Sequence, residues 1–356
     1  MNRKLHAFLR RRGATDEEIE RAEREGHLTL LALDRDVQSG RQRYGAEEAA
    51  ARAGMDRELS IRLWRALGFP DVPPGIDAFT DDDVKTLVML RQQLEASTYT
   101  PDQAVVVLVQ QVRLISSAQA RIAELFSEQL AAQLDGAKER GLTDDEIAEF
   151  AVDVFGWSRL EPLIAYGLRV QFRAALWRKL ALDKAAASGG VELAVGFVDL
   201  VGYTALSQEL EPDELAILVA RFDELAYDTV AKLGGRVVKT IGDEVMFVAA
   251  DVAAAAQIAL QLIEQSALDD VLPDARAGIA YGTMLAQEGD YYGPVVNLAS
   301  RIVALARPGS VVASEAVHEA LEYDIGIEWR KMRSHRIRDI GRVELWSLAT
   351  VASAVP

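Results

Sequence analysis

The sequence predicts an α+β protein in two parts, an all-helical half over residues 1–183 and a palm-like, ferredoxin-like domain over 191–350, joined by 184–190. Three observations predict it. Apolar residues recur at helical spacing through the first half, whereas after Val191 short apolar runs of strand length alternate with helical stretches. Threonine followed by acids marks helix starts at Thr15, Thr80 and Thr143. Between the parts, Lys184-Ala185-Ala186-Ala187-Ser188-Gly189-Gly190 thins into small residues that suit a joint.

In the first half, Asp71-Val72-Pro73-Pro74-Gly75 separates two helical pieces, and Asp102–Leu134 and Pro162–Leu182 carry long apolar periodicity. Trp157, Phe172 and Trp177 are expected in the core. In the second half Glu192–Asp199 reads as a strand, and Glu211–Leu233 as a helix with Pro212 near its start and Gly234-Gly235 at its end. Arg236–Thr240 and Glu244–Ala249 form a hairpin turning at Gly242-Asp243. Asp251–Gln265 follows as an Ala-rich helix, Ala275–Gly282 as a strand, and Gly293–Ala306 as a helix stopped by Pro308-Gly309. Ser310–Ala313 and Arg336–Leu348 supply the last strands. Strand, helix, hairpin, helix, strand, helix, strand is the order of a sheet with helices on one face.

Composition narrows the function. Cysteine is absent, which excludes disulfides, thiolate zinc sites and cysteine nucleophiles. The longest strongly apolar run, about Ala104–Val109, is far short of a membrane span, and the basic start Met1–Arg12 lacks the apolar stretch of a secretory signal. A cytoplasmic protein is expected. The net charge is −16, and residues from Val191 on hold 13 Lys and Arg against 25 Asp and Glu, a net of −12. Such a surface repels nucleic acid, so none is expected as a partner. Six of those 13 cations lie between Arg330 and Arg342, as a solvated edge or with one or two facing a polyphosphate.

Two acids carry the chemistry. Asp199 and Asp243 each interrupt an apolar, strand-like segment, where a lone carboxylate is expensive. If the strand ending at Asp199 pairs beside the hairpin, the two carboxylates converge, and they repel unless a cation lies between them. That suits two divalent metals beside a nucleoside triphosphate. After Asp199, the amides of Leu200-Val201-Gly202-Tyr203-Thr204 suit an anionic polyphosphate, with Gly202 allowing close approach and Thr204 able to cap the next helix. Asn297 and Arg301 stand four apart on a helix among Val295, Val296, Leu298, Ala299 and Ile302, so they share a face and are expected to need partners. An Asn there can orient a ribose, and an Arg can stabilise charge building on phosphorus.

Phe197–Thr204, Lys239–Phe247 and Asp290–Arg301 together resemble the catalytic domain of class III adenylyl cyclases, over about Val191 to Leu348. The resemblance implies a homodimer with shared sites, converting ATP to cyclic AMP and pyrophosphate. It implies that Asp199 and Asp243 bind two Mg²⁺ or Mn²⁺ ions per site, with the Leu200 carbonyl as a further ligand. Lys239 and Asp290 match the adenine-selecting pair, Asn297 the ribose-orienting residue, and Arg301 the transition-state residue. Asp199 and Asp243 of one protomer would face the other four across the dimer. Adenine, with an amino donor and a ring acceptor, suits an acid and a lysine, which argues against a guanylyl cyclase. The family's phosphate-binding Lys or Arg near the last strand is commonly followed by Gly. Here Arg338 is followed by Asp339, so Arg338 is the choice with Arg336 as rival.

The first half is similar to the helical autoinhibitory domain of some soluble mycobacterial adenylyl cyclases, which implies regulation by pH or by a fatty acid or lipid ligand. Tyr44–Phe69 also resembles a helix-turn-helix, with Arg52, Arg57, Arg62 and Arg65 able to meet phosphates. A DNA-binding sensor fused to a nucleotide-binding palm is therefore the alternative. Glu47, Glu48 and Asp56 dilute that charge, and a helical packing unit is preferred.

Overall fold

The computed structural model describes residues 3–37, 43–73, 75–186, 192–287 and 289–351. It divides into two compact units, Met1–Ala174 and Ala175–Pro356. The first holds α1 (Arg3–Arg11), α2 (Asp16–Glu25), α3 (Leu28–Val37), α4 (Ala46–Ala53), α5 (Arg57–Ala66), α6 (Asp81–Glu95), α7 (Pro101–Glu139) and α8 (Asp144–Phe155). Thr15, Thr80 and Thr143 each accept from the backbone three residues on, while Glu18, Asp83 and Glu146 return the bond as capping boxes. Apolar side chains gather into one core around Leu5, Leu9, Ile19 and Leu28 and another around Leu63, Leu87, Leu108 and Val112. The helix-turn-helix reading finds two helices, α4 and α5, joined at Gly54. Three of its arginines are engaged by acids: Arg52 by Glu48, Arg57 by Glu47, and Arg65 by Asp71.

The helix α9 (Trp157–Ala186) crosses the division between the units. It takes in Lys184–Ala186 of the expected joint, whereas 187–190 lie outside the described residues. The expectation that Trp157, Phe172 and Trp177 are core is corrected, because they are 41%, 62% and 66% exposed. Leu163, Leu168, Leu176 and Leu180 are exposed too. Apolar residues run round this helix rather than along one stripe, the pattern of a helix covered on several sides.

The second unit is built on a seven-stranded sheet. In chain order its elements are β1 (Glu192–Leu200), α10 (Tyr203–Glu209), α11 (Pro212–Lys232), β2 (Arg236–Ile241), β3 (Glu244–Ala249), α12 (Val252–Leu268), β4 (Ala275–Thr283), β5 (Leu285–Gln287), β6 (Asp290–Tyr292), α13 (Pro294–Val303), β7 (Val311–Ser314), α14 (Glu315–Leu321), β8 (Ile327–Lys331), β9 (His335–Ile337), β10 (Gly341–Val343) and β11 (Leu345–Thr350). The sheet runs β2-β3-β1-β4-β7-β11-β8, antiparallel except at β4 and β7. Of the last strands expected over Arg336–Leu348, β11 joins the sheet, while β9 and β10 form a separate hairpin.

Helices cover both faces of the sheet, not one as its order suggested. Val198, Phe247 and Ile279 meet α11 and α12 at Phe222, Ile258 and Leu262 on one side. Their neighbours Phe197 and Met246 meet Ala299 and Val303 of α13 on the other. Strands buried on both faces read as unbroken apolar runs, which hide the second layer. Gly278 in β4 makes the α13 packing close, since a Cβ there would lie 2.5 Å from the Val303 amide nitrogen.

Candidate active site

Central β1 brings the acids together. It pairs with β3, setting Asp199 opposite Glu244, and with β4, setting Asp199 opposite Arg276. Gly242, at φ +64°, makes the β2–β3 turn that carries Asp243. The Leu200 amide donates to the Asp243 carbonyl at 3.2 Å, tying the end of β1 to that turn. Arg276 donates from Nε at 2.8 Å and Nη2 at 2.5 Å to the same oxygen of Asp199. Burial and the Asp199 carboxylate push the Asp243 carboxyl up, with its own amide and Arg276 pulling the other way. Burial, then Asp199 and Asp243, push Glu244 to about 7 against the charges of Arg276 and Lys239.

After Leu200 the chain turns into α10, and Gly202 at φ +80° is its N-cap. Thr204 lies inside that helix and is not its cap, because the chain turns at left-handed Gly202, two residues earlier, and the helix starts at Tyr203. Val201 donates its amide to the Asp274 carbonyl at 2.8 Å, and Tyr203 opens the helix.

On β2, Lys239 donates to Oδ2 of Asp290 on β6 at 2.5 Å, and the Tyr291 amide donates to Oδ1 at 2.8 Å. Burial pushes the Asp290 carboxyl up, but Lys239, the Tyr291 amide and the charge of Arg236 together hold it below the ordinary carboxylate range.

Asn297 and Arg301 lie on α13 and are both exposed. The expectation that they sit unable to go unpaired among core residues is corrected, for α13 buries Ala299, Ile302 and Val303 instead. Asp339 lies 3.7 Å from Arg301 and 3.6 Å from Arg338. Arg338 stands in the β9–β10 turn and Arg336 on β9. Asp339 takes φ +64°, a conformation that favours glycine, the residue the resemblance leads one to expect after Arg338. Among the described residues, no side-chain hydrogen bond or ion pair joins Asp199 or Asp243 to Lys239, Asp290, Asn297 or Arg301.

Sequence reasoning missed Arg276 and Glu244. A lone guanidinium in the small-residue strand Ala275-Arg276-Ala277-Gly278 and a second acid directly after Asp243 were the available signals.

The catalytic domain family of adenylate and guanylate cyclases matches residues 188–350. An adenylate cyclase of Streptomyces coelicolor is 37% identical over 291 residues, covering 82% of this chain and 75% of the relative. The chain belongs to the adenylate and guanylate cyclase family. An adenylate cyclase of Glutamicibacter nicotianae is 30% identical over 90% of this chain and 82% of its own length. A pH-sensitive adenylate cyclase of Mycobacterium tuberculosis is 32% identical over 96% and 86%. Cyclase domains of this family bind nucleotide substrates, use divalent metal ions and work as dimers. This cyclase presents suitable donors: the carboxylates of Asp199 and Asp243 offer hard oxygens, and Asp199 holds a guanidinium. Among its described residues, no helix is long and apolar enough to cross a membrane.

Proposed function

We propose that this cyclase is an adenylyl cyclase, converting ATP to 3′,5′-cyclic AMP and pyrophosphate at sites shared across a homodimer. The Lys239–Asp290 pair carries the choice of base. An ionised carboxylate has about four lone-pair directions, so Asp290 keeps room for the adenine amino group beside Lys239 and the Tyr291 amide. Lys239 is left to donate to the ring nitrogen. Guanine, with a donor at that nitrogen and a carbonyl in place of the amino group, would meet the wrong partners.

Asp199 and Asp243, with the Leu200 carbonyl, are the proposed ligands of two Mg²⁺ or Mn²⁺ ions. Bound there, such ions neutralise triphosphate charge and polarise the phosphoryl oxygens. Asn297 orients the ribose so that its 3′-oxygen lines up with the α-phosphorus, and Arg301 meets the charge building there. The turn Val201-Gly202-Tyr203-Thr204 and Arg338, released from Asp339, hold the departing pyrophosphate. The unlinked half-sites of one chain support completion by a second copy, as does the uncovered apolar surface of α9.

Residues 1–183 are the proposed regulator, restraining the catalytic halves until a signal such as pH releases them. An apolar cavity of about 340 Å³, lined by Leu63, Trp64, Leu67, Leu87, Leu90 and Val112 among others, is where a lipid ligand of this half would fit. Asp83 in its wall disfavours a carboxylate headgroup at that end.

The test is cyclic nucleotide production from ATP and from GTP with Mn²⁺ or Mg²⁺, together with mixing of Asp243→Ala and Arg301→Ala. ATP is expected as the preferred substrate, each variant inactive alone, and the mixture active through one intact site per heterodimer. Preference for GTP, or no recovery in heterodimers shown to form, overturns the assignment.

A further inference from the structure

The strand that carries Lys239 is not regular. Val237 pairs with Phe247 and Lys239 with Met246, so Val238 is an extra residue and β2 bulges there. In a regular strand Arg236 and Lys239, three apart, point to opposite faces. The bulge resets the alternation and turns both cations toward the same short segment, Gly289–Tyr291. Lys239 reaches the Asp290 carboxylate. Arg236 reaches the main chain and ring on either side of it. Its Nη2 donates to the Gly289 carbonyl at 3.2 Å, and its guanidinium lies 5.4 Å from the Tyr291 ring centroid. The Tyr291 ring is itself buried with Phe197, Met246 and Val303, so this end of the grip is anchored in the core. Among the described residues, Nε of Arg236 is buried without a partner, which marks a guanidinium wedged in place rather than one free in water.

We infer that Arg236 is the positioning residue of the base-reading pair: from the bulged strand it grips the Gly289 carbonyl before Asp290 and the Tyr291 ring after it, fixing where the carboxylate meets the base. This rests on the reading of Lys239 and Asp290 as the adenine-selecting pair. Arg236 is spent on the Gly289 carbonyl and the Tyr291 ring, so its effect is to fall on recognition through Asp290. A carboxylate that reads an amino group discriminates only while its place is fixed, and displacements of about 1 Å are enough to cost a large share of the selectivity. Arg236 also supplies positive charge that helps keep Asp290 an acceptor.

The experiment measures steady-state kinetics of the full chain with ATP and with GTP for Arg236→Gln, Arg236→Lys, Asp290→Ala and the double variant Arg236→Gln/Asp290→Ala. Arg236→Gln is expected to raise KM for ATP about tenfold and to lower the ATP-over-GTP preference by a similar factor, with kcat within about threefold. Arg236→Lys keeps the bond to the Gly289 carbonyl but not the planar contact with Tyr291, and recovers part of the loss. In the Asp290→Ala background, Arg236→Gln should add nothing, since there is no carboxylate left to place. Wild-type KM and preference in Arg236→Gln, alongside lost preference in Asp290→Ala, overturn the inference and leave the base-reading pair standing. A fall in kcat alone, unrelieved by lysine, overturns it as well, because that marks a merely structural residue. Full ATP preference in Asp290→Ala sinks the pair itself.

Discussion

Arg276→Gln separates the electrostatics of the metal-free site from its chemistry. The guanidinium gives two hydrogen bonds to one oxygen of Asp199, with the side chains 30% and 17% exposed. That places the pair between a surface ion pair, worth well under about 1 kcal/mol, and a buried one whose disruption costs about 3–5 kcal/mol. An intermediate loss of about 2 kcal/mol follows. For a unit of this size it lowers the melting temperature by about 4–8 °C. The same change should strengthen metal binding. Arg276 competes for the Asp199 oxygen and repels an incoming dication, and relief of about 1.4 kcal/mol corresponds to about tenfold in affinity. The assay is thermal denaturation of the full chain without metal and through a Mn²⁺ titration, with calorimetric Mn²⁺ binding in parallel. The variant should begin less stable than wild type and gain more from Mn²⁺. An unchanged metal-free melting temperature, or weaker Mn²⁺ binding, would refute the reasoning, because either means that the guanidinium does not stand in for a cation.

Glu244→Gln should flatten the pH dependence of stability in the metal-free protein. Its carboxyl has a folded value of about 7 against an ordinary 4.5, so its contribution is present below 4.5 and lost as pH rises through 7. At pH 8, with its partial exposure discounted, the glutamine variant should be about 1–2 kcal/mol more stable in chemical denaturation, and no difference would count against the buried-acid account. Removing residues 1–174 should raise basal cyclase activity and flatten its response to pH if the helical half restrains the catalytic one. A truncated chain no more active than the full chain at any protein concentration or pH removes that restraint.

The catalytic half was the more legible in sequence because its signals are local. A glycine before Asp243 specifies a turn, and an acid inside an apolar run marks a cost that needs a reason. Capping threonines fixed the starts of α2, α6 and α8 for the same cause, a bond between residues three apart. What escaped was set by register. Arg276 faces Asp199 only because β4 pairs with β1, a contact across 77 positions of sequence, and nothing near Arg276 announces it. The Val238 bulge escaped likewise, since two neighbouring valines look alike until one lacks a partner. Trp157, Phe172 and Trp177 misled because composition tells that a side chain seeks cover but not which chain provides it.

That last point joins the two halves of the molecule. A single chain keeps its carboxylate cluster and its exposed Asn297 and Arg301 unlinked, and leaves a 30-residue helix without a buried side chain among those described. Both are alike in one respect: among the described residues, these groups are formed without the contacts that would join the two half-sites or cover the helix. In the homodimer proposed above a second copy would meet both needs at once, so assembly and catalysis would draw on one free energy, and apparent stability should depend on protein concentration. Regulation then needs no route to the carboxylates themselves. Under the proposed regulation, a signal that binds the helical half more tightly in one arrangement of the pair would shift the population of complete sites by its difference in affinity.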